Sequence, residues 1–238
     1  MIPTIPIDET TKAKLSLVIP VYNERNTIEK IIEKIETTPF TCAIEIIIVD
    51  DGSNDGTKEA LEQYQNKYIV VVLPYNQGKG SALRKGIEKV TGTHVVIQDA
   101  DLEYDPNDLV MMFEVMQKDN LSVLYGSRSL LRGRNKNAGF AFYWGGQVVT
   151  YTANLLYNQR LTDEPTCYKM FTTSLLQSLP LRCTGFEFCP EVTALVAKKG
   201  IKITEVPINY YPRDISHGKK IKWRDGVIAV YTLIKNRI

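Results

Sequence analysis

THVVIQDADLE, residues 93–103, is the stretch that decides how this chain folds. The β-branched run from Thr93 to Ile97 reads as a short buried strand, and it opens directly onto two carboxylates one residue apart. Residues i and i+2 at a strand end point to one side, so Asp99 and Asp101 can converge on one point. Two hard oxygen ligands suit Mg²⁺ or Mn²⁺, which keeps other positions for water and substrate phosphates. The same letters also describe an acidic loop whose aspartate caps the next helix. The neighbouring segments decide between these readings.

Working outward, three more strands precede helices in the same manner. Residues 15–21 (LSLVIPV) form a continuous apolar run that breaks into Tyr22-Asn23-Glu24-Arg25-Asn26. Asn26 is placed to cap a helix whose Ile28, Ile31, Ile32 and Ile35 recur at i, i+3, i+4 and i+7. Residues 44–49 (IEIIIV) end in Asp50-Asp51-Gly52-Ser53-Asn54-Asp55-Gly56-Thr57, with a helix expected to run to residue 66. Residues 68–73 end in Asn76-Gln77-Gly78-Lys79-Gly80, followed by a helix to residue 90. Beyond Asp101, Pro106 suits the first turn of another helix. Strands alternating with helices in this way indicate βαβ units and a mainly parallel sheet. All four polar loops then open on the rim at the carboxyl ends of the strands, where open α/β sheets bind ligands.

The second half is less regular. It reads as a strand at 121–125, a glycine- and arginine-rich loop from Gly126-Ser127-Arg128 to Gly139, and a helix at 141–158 weakened by Gly145-Gly146. A short strand at 168–171 and a helix at 186–199 follow. Residues 201–210 alternate as a half-buried strand, with Pro207 favouring a sheet edge. The reading is one α/β domain over 15–218 with helices on both faces of the sheet. A loose leader at 1–14 precedes it, and a basic amphipathic segment at 219–238 follows.

Composition narrows the function. The 238 residues carry a formal charge of +2, too small to argue for nucleic acid, although 128–136 and 213–224 are locally basic. The four cysteines, Cys42, Cys167, Cys183 and Cys189, show no C-x-x-C spacing and read as reduced thiols of a cytoplasmic protein. No apolar run approaches the ~20 residues of a spanning helix, so any membrane contact is expected to be peripheral. Trp223, Val227, Val230, Tyr231 and Ile234 fall near one helical face with basic residues elsewhere, which suits a membrane interface or packing on the sheet. Gly78-Lys79-Gly80 lacks the spacing of a phosphate loop, and no G-x-G-x-x-G follows the first strand. A nucleotide site built from carboxylates and a metal fits better.

Several motifs together resemble a known family. They are Pro20-x-Tyr22-Asn23-Glu24, Asp50-Asp51-Gly52-Ser53-x-Asp55-Gly56-Thr57, Asn76-x-Gly78-x-Gly80, Asp99-Ala100-Asp101-Leu102 and Gly126-Ser127-Arg128. In order and spacing they resemble family 2 glycosyltransferases of GT-A fold. Thr162-Asp163-x-x-Thr166-Cys167-Tyr168-Lys169, Glu205-Val206-Pro207 and Arg213 with Lys219-Lys220 resemble the branch of dolichyl- and polyprenyl-phosphate mannose synthases and their glucosyl relatives. The resemblance implies that Pro20, Tyr22, Glu24, Val49 and Asp51 hold the nucleoside of a nucleotide-sugar. It puts Asp99, Ala100 and Asp101 at the diphosphate and metal, and Arg213 with Lys219 near that diphosphate. Glu103 stands where the family commonly has Gln and still offers the metal an oxygen. Arg128 would sit near an acceptor phosphate.

The expected activity is inverting transfer of a hexose from a GDP-mannose or UDP-glucose type donor to a polyprenyl phosphate, with Mg²⁺ or Mn²⁺. The expected place is the cytoplasmic face of a membrane. A lipid phosphate is already an anionic nucleophile, whereas a sugar hydroxyl would need a general base, for which Asp163 or Glu164 are the candidates. Transfer to a saccharide hydroxyl, or catalytically silent binding of a nucleotide-sugar, are the alternatives.

Overall fold

Strand β1 (Lys14–Val21) is buried on both faces: Leu15, Leu17, Val18 and Ile19 are wholly inaccessible. A strand with no polar face needs cover on both sides, as parallel sheets of α/β proteins have. In the computed structural model, which describes residues 13–130, 140–213 and 223–238, β1 lies inside a seven-stranded sheet. The other strands are β2 (Ala43–Asp50), β3 (Ile69–Val72), β4 (His94–Ile97), β5 (Val123–Ser127), β6 (Lys169–Thr172) and β7 (Thr204–Pro207). Their order is β3-β2-β1-β4-β6-β5-β7. β1, β2, β3 and β4 are mutually parallel, with Val21 opposite Asp50 and Val18 opposite Ile97. The loops after these four strands therefore share one rim, as the alternating pattern implies.

β6 is the exception, running antiparallel to both β4 and β5. It carries Tyr168 and Lys169 back under the rim, and sequence periodicity over four residues gave no sign of its direction. β7 is the edge strand that Pro207 suggests, paired parallel to β5.

The helices are α1 (Ile28–Thr37), α2 (Thr57–Leu61), α3 (Lys79–Ile87), α4 (Asn107–Lys118), α5 (Phe140–Tyr157), α6 (Thr173–Gln177), α7 (Phe188–Lys198) and α8 (Trp223–Arg237). α1 buries Ile28, Ile31, Ile32 and Ile35, each contributing on the order of 2 kcal/mol by area. Its cap is Thr27, one residue later than Asn26, and the Thr27 hydroxyl turns back to the Glu24 carboxylate at 2.7 Å. The helix expected to reach residue 66 closes at Leu61 and continues as a 3₁₀ turn, Glu62–Tyr64. The fifth strand begins at Val123, two residues after the position expected. α3 lies over β1 and β2 because Gly86 lets it approach; a Cβ there would come within 2.4 Å of Val18. α5 spans Gly145-Gly146 unbroken.

A second, smaller core joins α5, α7 and α8 through Val149, Ala153, Tyr157, Ala194 and Leu233. The Tyr157 hydroxyl donates to the Leu233 carbonyl at 2.7 Å, fixing α8 on α5. The carboxyl-terminal segment thus packs on helices rather than on the sheet. The leader up to residue 12, the loop with Arg132 and Arg134, and Lys219 with Lys220 lie outside the described residues.

Candidate active site

The chain leaves β4 into the rim and turns sharply. Leu102 takes a left-handed backbone, φ 65°, a conformation that side-chain-bearing residues adopt at a cost and that clusters at functional sites. This turn presents Asp99 and Asp101 side by side, and Asp101 Oδ1 accepts from the Glu103 amide at 3.1 Å. Each aspartate already meets a cation. Lys79, the first residue of α3, reaches Asp99 Oδ1 at 2.6 Å, and Arg213 Nη2 reaches Asp101 Oδ2 at 3.2 Å. The Arg213 fork also contacts both oxygens of Glu24, at 3.2 and 3.3 Å.

Among the described residues, Glu24, Asp99, Asp101 and Glu103 are contacted by Lys79 and Arg213. Burial, together with Asp99 and Glu103, pushes the Asp101 carboxyl up to about 7, against the pull of Arg213. Burial opposes the charge on Lys79, yet Asp99 holds its ammonium protonated well above the ordinary value. Among the described residues no group of three or more His, Cys, Asp or Glu forms a metal cage. What the rim presents is two adjacent carboxylates, Asp99 and Asp101, at a strand end. That fits a divalent ion of the Mg²⁺ type, which is held by one or two carboxylates with substrate phosphates completing its shell.

Glu103 lies beside them, two residues on. Its Oε2 accepts from the Tyr210 hydroxyl at 2.7 Å, and its Oε1 accepts from the Arg213 amide at 2.9 Å. This carboxylate, expected from the resemblance to offer the metal an oxygen, faces the 210–213 segment.

On the other side of β1, Asp51 is nearly inaccessible and accepts from the Gln77 and Gly78 amides at 2.7 and 2.8 Å. Burial pushes its carboxyl up while these two amides oppose the rise. Asp51 thereby ties the Asn76–Gly80 loop to the end of β2. The glycines of that loop serve close packing: Gly78 has φ 93°, and a Cβ on it would meet the Thr184 carbonyl at 2.3 Å. Pro20 and Tyr22 are half-buried at the end of β1, beside Glu24. Val49 and Ala100 belong to the core, and Val49, wholly inaccessible, has no side-chain surface to offer a ligand.

Arg128 follows β5. Its Nε and Nη2 grip Asp163 at 2.8 and 2.7 Å, its amide donates to the same carboxylate at 2.8 Å, and its guanidinium stands 5.0 Å from the Tyr210 ring centre. The Glu205 carboxylate in turn holds the Thr162 and Asp163 amides at 2.6 and 3.0 Å. Burial alone would raise the Asp163 carboxyl, but Arg128 holds it below the ordinary carboxylate range. Glu164 is fully buried, pushed up by desolvation, and bonded to Thr193 at 2.8 Å. Asp163 is thus an arginine clamp and Glu164 an interior group, so the two residues considered as bases for a hydroxyl are otherwise engaged.

Three residues were not foreseen for the site: Lys79, Tyr210 and Cys167. Lys79 was visible in the G-K-G loop, but its partner across the rim was not. The Cys167 thiol lies 3.9 Å from Lys79 Nζ, buried and pushed up well above the ordinary thiol range. The other cysteines are free thiols, as expected.

Known proteins resemble this chain in sequence and in fold. The chain is 28% identical over 201 residues to the dolichol-phosphate mannosyltransferase of Pyrococcus furiosus, covering 83% of this chain and 56% of that protein. It is likewise 28% identical over 254 residues to a dolichyl-phosphate beta-glucosyltransferase of Trichomonas vaginalis, covering 98% of this chain and 76% of the relative. A dodecaprenyl-phosphate galacturonate synthase of Rhizobium johnstonii is 26% identical, over 89% of this chain and 62% of its own length. The chain thus spans little more than half of the Pyrococcus relative. The fold is that of glucosyl-3-phosphoglycerate synthase from Mycobacterium tuberculosis, solved with Mn²⁺, uridine diphosphate and glucosyl-3-phosphoglycerate. The TM-score is 0.70 at 19% identity, covering 94% of this chain and 80% of that one. The family model described as "Glycosyl transferase family 2" matches residues 16–179, which include most of β1, all of β2 to β4 with their loops, Arg128 and Asp163. The chain belongs to glycosyl transferase family 2.

Proposed function

We propose that this protein transfers a hexose from a nucleoside-diphosphate sugar to a polyprenyl phosphate, with inversion and with help from a divalent cation. The observation that carries the reading is the Arg128–Asp163 clamp. A hydroxyl acceptor requires a base, and Asp163 is committed to Arg128 with its carboxyl held acidic, while Glu164 is sealed in the interior. A phosphate acceptor needs no base, and an arginine at the rim suits its charge. The relatives named for dolichyl- and dodecaprenyl-phosphate chemistry support the same acceptor class.

Pro20, Tyr22, Glu24 and Asp51 frame the nucleoside end, with Arg213 and Lys79 at the diphosphate and Lys219 assigned there from sequence alone. Asp99 and Asp101 would hold Mg²⁺ or Mn²⁺, which when bound neutralises the leaving diphosphate. Lys79, 2.6 Å from Asp99 Oδ1, orients that carboxylate. Arg213 brings a second fixed cation toward the same leaving group, the kind of preorganised charge that lowers such barriers most.

Acceptor lipids sit in membranes, and two helices suit an interface. α5 exposes Trp144, Val148, Tyr151 and Leu155 at helical spacing, and α8 exposes Trp223, Val227, Tyr231 and Ile234. No helix of the described residues is long and apolar enough to cross a bilayer. Aromatic-rich helices with Arg224, Lys235 and Arg237 on α8 fit peripheral attachment to an anionic surface. The test is incubation with a panel of radiolabelled nucleotide-sugars and a membrane lipid extract. Label entering a chloroform-soluble, mild-acid-labile product supports the reading; label confined to water-soluble saccharide, or none transferred, removes it.

A further inference from the structure

Glu103 is nearly buried, yet its bonds run to one stretch of chain more than a hundred residues away. Its two oxygens accept from the Tyr210 hydroxyl at 2.7 Å and the Arg213 amide at 2.9 Å. Its backbone carbonyl accepts from the Tyr211 amide at 2.8 Å, and Tyr104 forms an isolated antiparallel bridge with Tyr210. The Tyr104 and Tyr210 rings stand 5.3 Å apart, closing the junction. Two cations depend on this mooring. Tyr210 carries the Arg128 guanidinium on its ring, and Arg213 spans Glu24 and Asp101. Arg213 Nε is buried 3.7 Å from Glu103 Oε1 and has no hydrogen-bond partner among the described residues. A buried guanidinium N–H without an acceptor is costly, and an arriving anionic oxygen would complete it.

We propose that Glu103 is a positioning residue that moors the 210–213 segment, holding Arg213 at the diphosphate subsite, and that it is not a ligand of the divalent ion. The proposal rests on the donor reading above. It separates three roles that a carboxylate at this place can have. A metal ligand matters only when metal is present. A bare negative charge repels a diphosphate, so removing it by any substitution tightens binding. A mooring survives replacement by glutamine, which still accepts from the Arg213 amide and meets the Tyr210 hydroxyl, but fails with alanine.

The experiment measures binding of GDP and of UDP by calorimetry, once in EDTA and once with Mn²⁺. Wild type is compared with Glu103→Gln, Glu103→Ala, Tyr210→Phe, Arg213→Ala and the Glu103→Ala/Arg213→Ala double variant. The mooring predicts about tenfold weaker binding for Glu103→Ala and Arg213→Ala in both buffers, and no further loss in the double variant. Glu103→Gln stays within about threefold of wild type, and Tyr210→Phe falls between. Loss confined to the Mn²⁺ buffer, equal tightening of both Glu103 variants, or additive losses in the double variant would each overturn the mooring. The donor reading survives those outcomes. If wild type binds neither nucleotide in either buffer, the donor reading fails and the mooring falls with it.

Discussion

Asp101→Asn should make the unliganded protein more stable while abolishing transfer. Asp101 is ordinarily a group of pKa 3.8 and is pushed up to about 7 here by burial, Asp99 and Glu103. Between those values the folded chain holds a proton that the unfolded chain has released, so stability falls as pH rises through the window and levels off above it. At about 1.4 kcal/mol per pH unit, the full rise corresponds to a gross penalty of about 4 kcal/mol. Relaxation around the site, and Arg213 keeping only Glu24 and Glu103, reduce that to a net gain of about 2 kcal/mol for the neutral amide at pH 8. For a chain of this size that is a rise in Tm of roughly 4–8 °C. At pH 5 only about a third of the window has been crossed, so the gain shrinks to roughly 1 kcal/mol. Thermal unfolding followed by circular dichroism in EDTA, at pH 5 and pH 8, reads both numbers. A variant no more stable than wild type at pH 8, or a gain that does not grow with pH, would refute the electrostatic reasoning.

Glu45 should behave in the opposite sense: burial is outweighed by donors from Lys14, Ser16 and Thr91, which hold its carboxyl down to about 2. Its stabilisation, about 1 kcal/mol once solvent screening is allowed for, is present above pH 4.5 and lost as pH falls toward 2. Glu45→Ala should therefore cost most at pH 7 and almost nothing near pH 2 in urea titrations, and a constant difference would contradict this. Arg128→Ala should raise the acceptor KM about tenfold with unchanged donor affinity by calorimetry, whereas equal loss of donor binding would move Arg128 to the diphosphate. Replacing Trp144, Tyr151, Trp223 and Tyr231 by serine should weaken sedimentation with anionic vesicles while leaving GDP or UDP binding intact. Binding to vesicles that is insensitive to salt and to these changes would speak against interfacial attachment.

The parallel half of the sheet was legible because each of its strands is a mainly apolar, β-branched run, and each opens into a polar loop. Repetition of that pattern four times placed Glu24, Asp51, Asp99 and Asp101 on one rim before any contact was known. The antiparallel β6 was not legible, since direction is a property of pairing and four residues carry no record of it. Pairings across the rim were equally hidden. Asp163 was visible as an acid but not as the partner of Arg128, 35 residues earlier in the chain. Glu103 was visible as a carboxylate beside Asp101, and only the returning 210–213 segment shows which way it faces. Short-range spacing reports which groups stand at a strand end; long-range closure decides what each of them meets.

The central claim is that the nucleophile is a lipid phosphate. Its most direct test offers the protein, with the labelled donor it accepts and Mn²⁺, three acceptors side by side: a polyprenyl phosphate, the same polyprenol without phosphate, and an oligosaccharide. The account predicts a labelled product from the polyprenyl phosphate alone, because no base is available at Asp163 or Glu164 to activate a hydroxyl. Label on the free polyprenol or on the saccharide, with the polyprenyl phosphate inert, would contradict it.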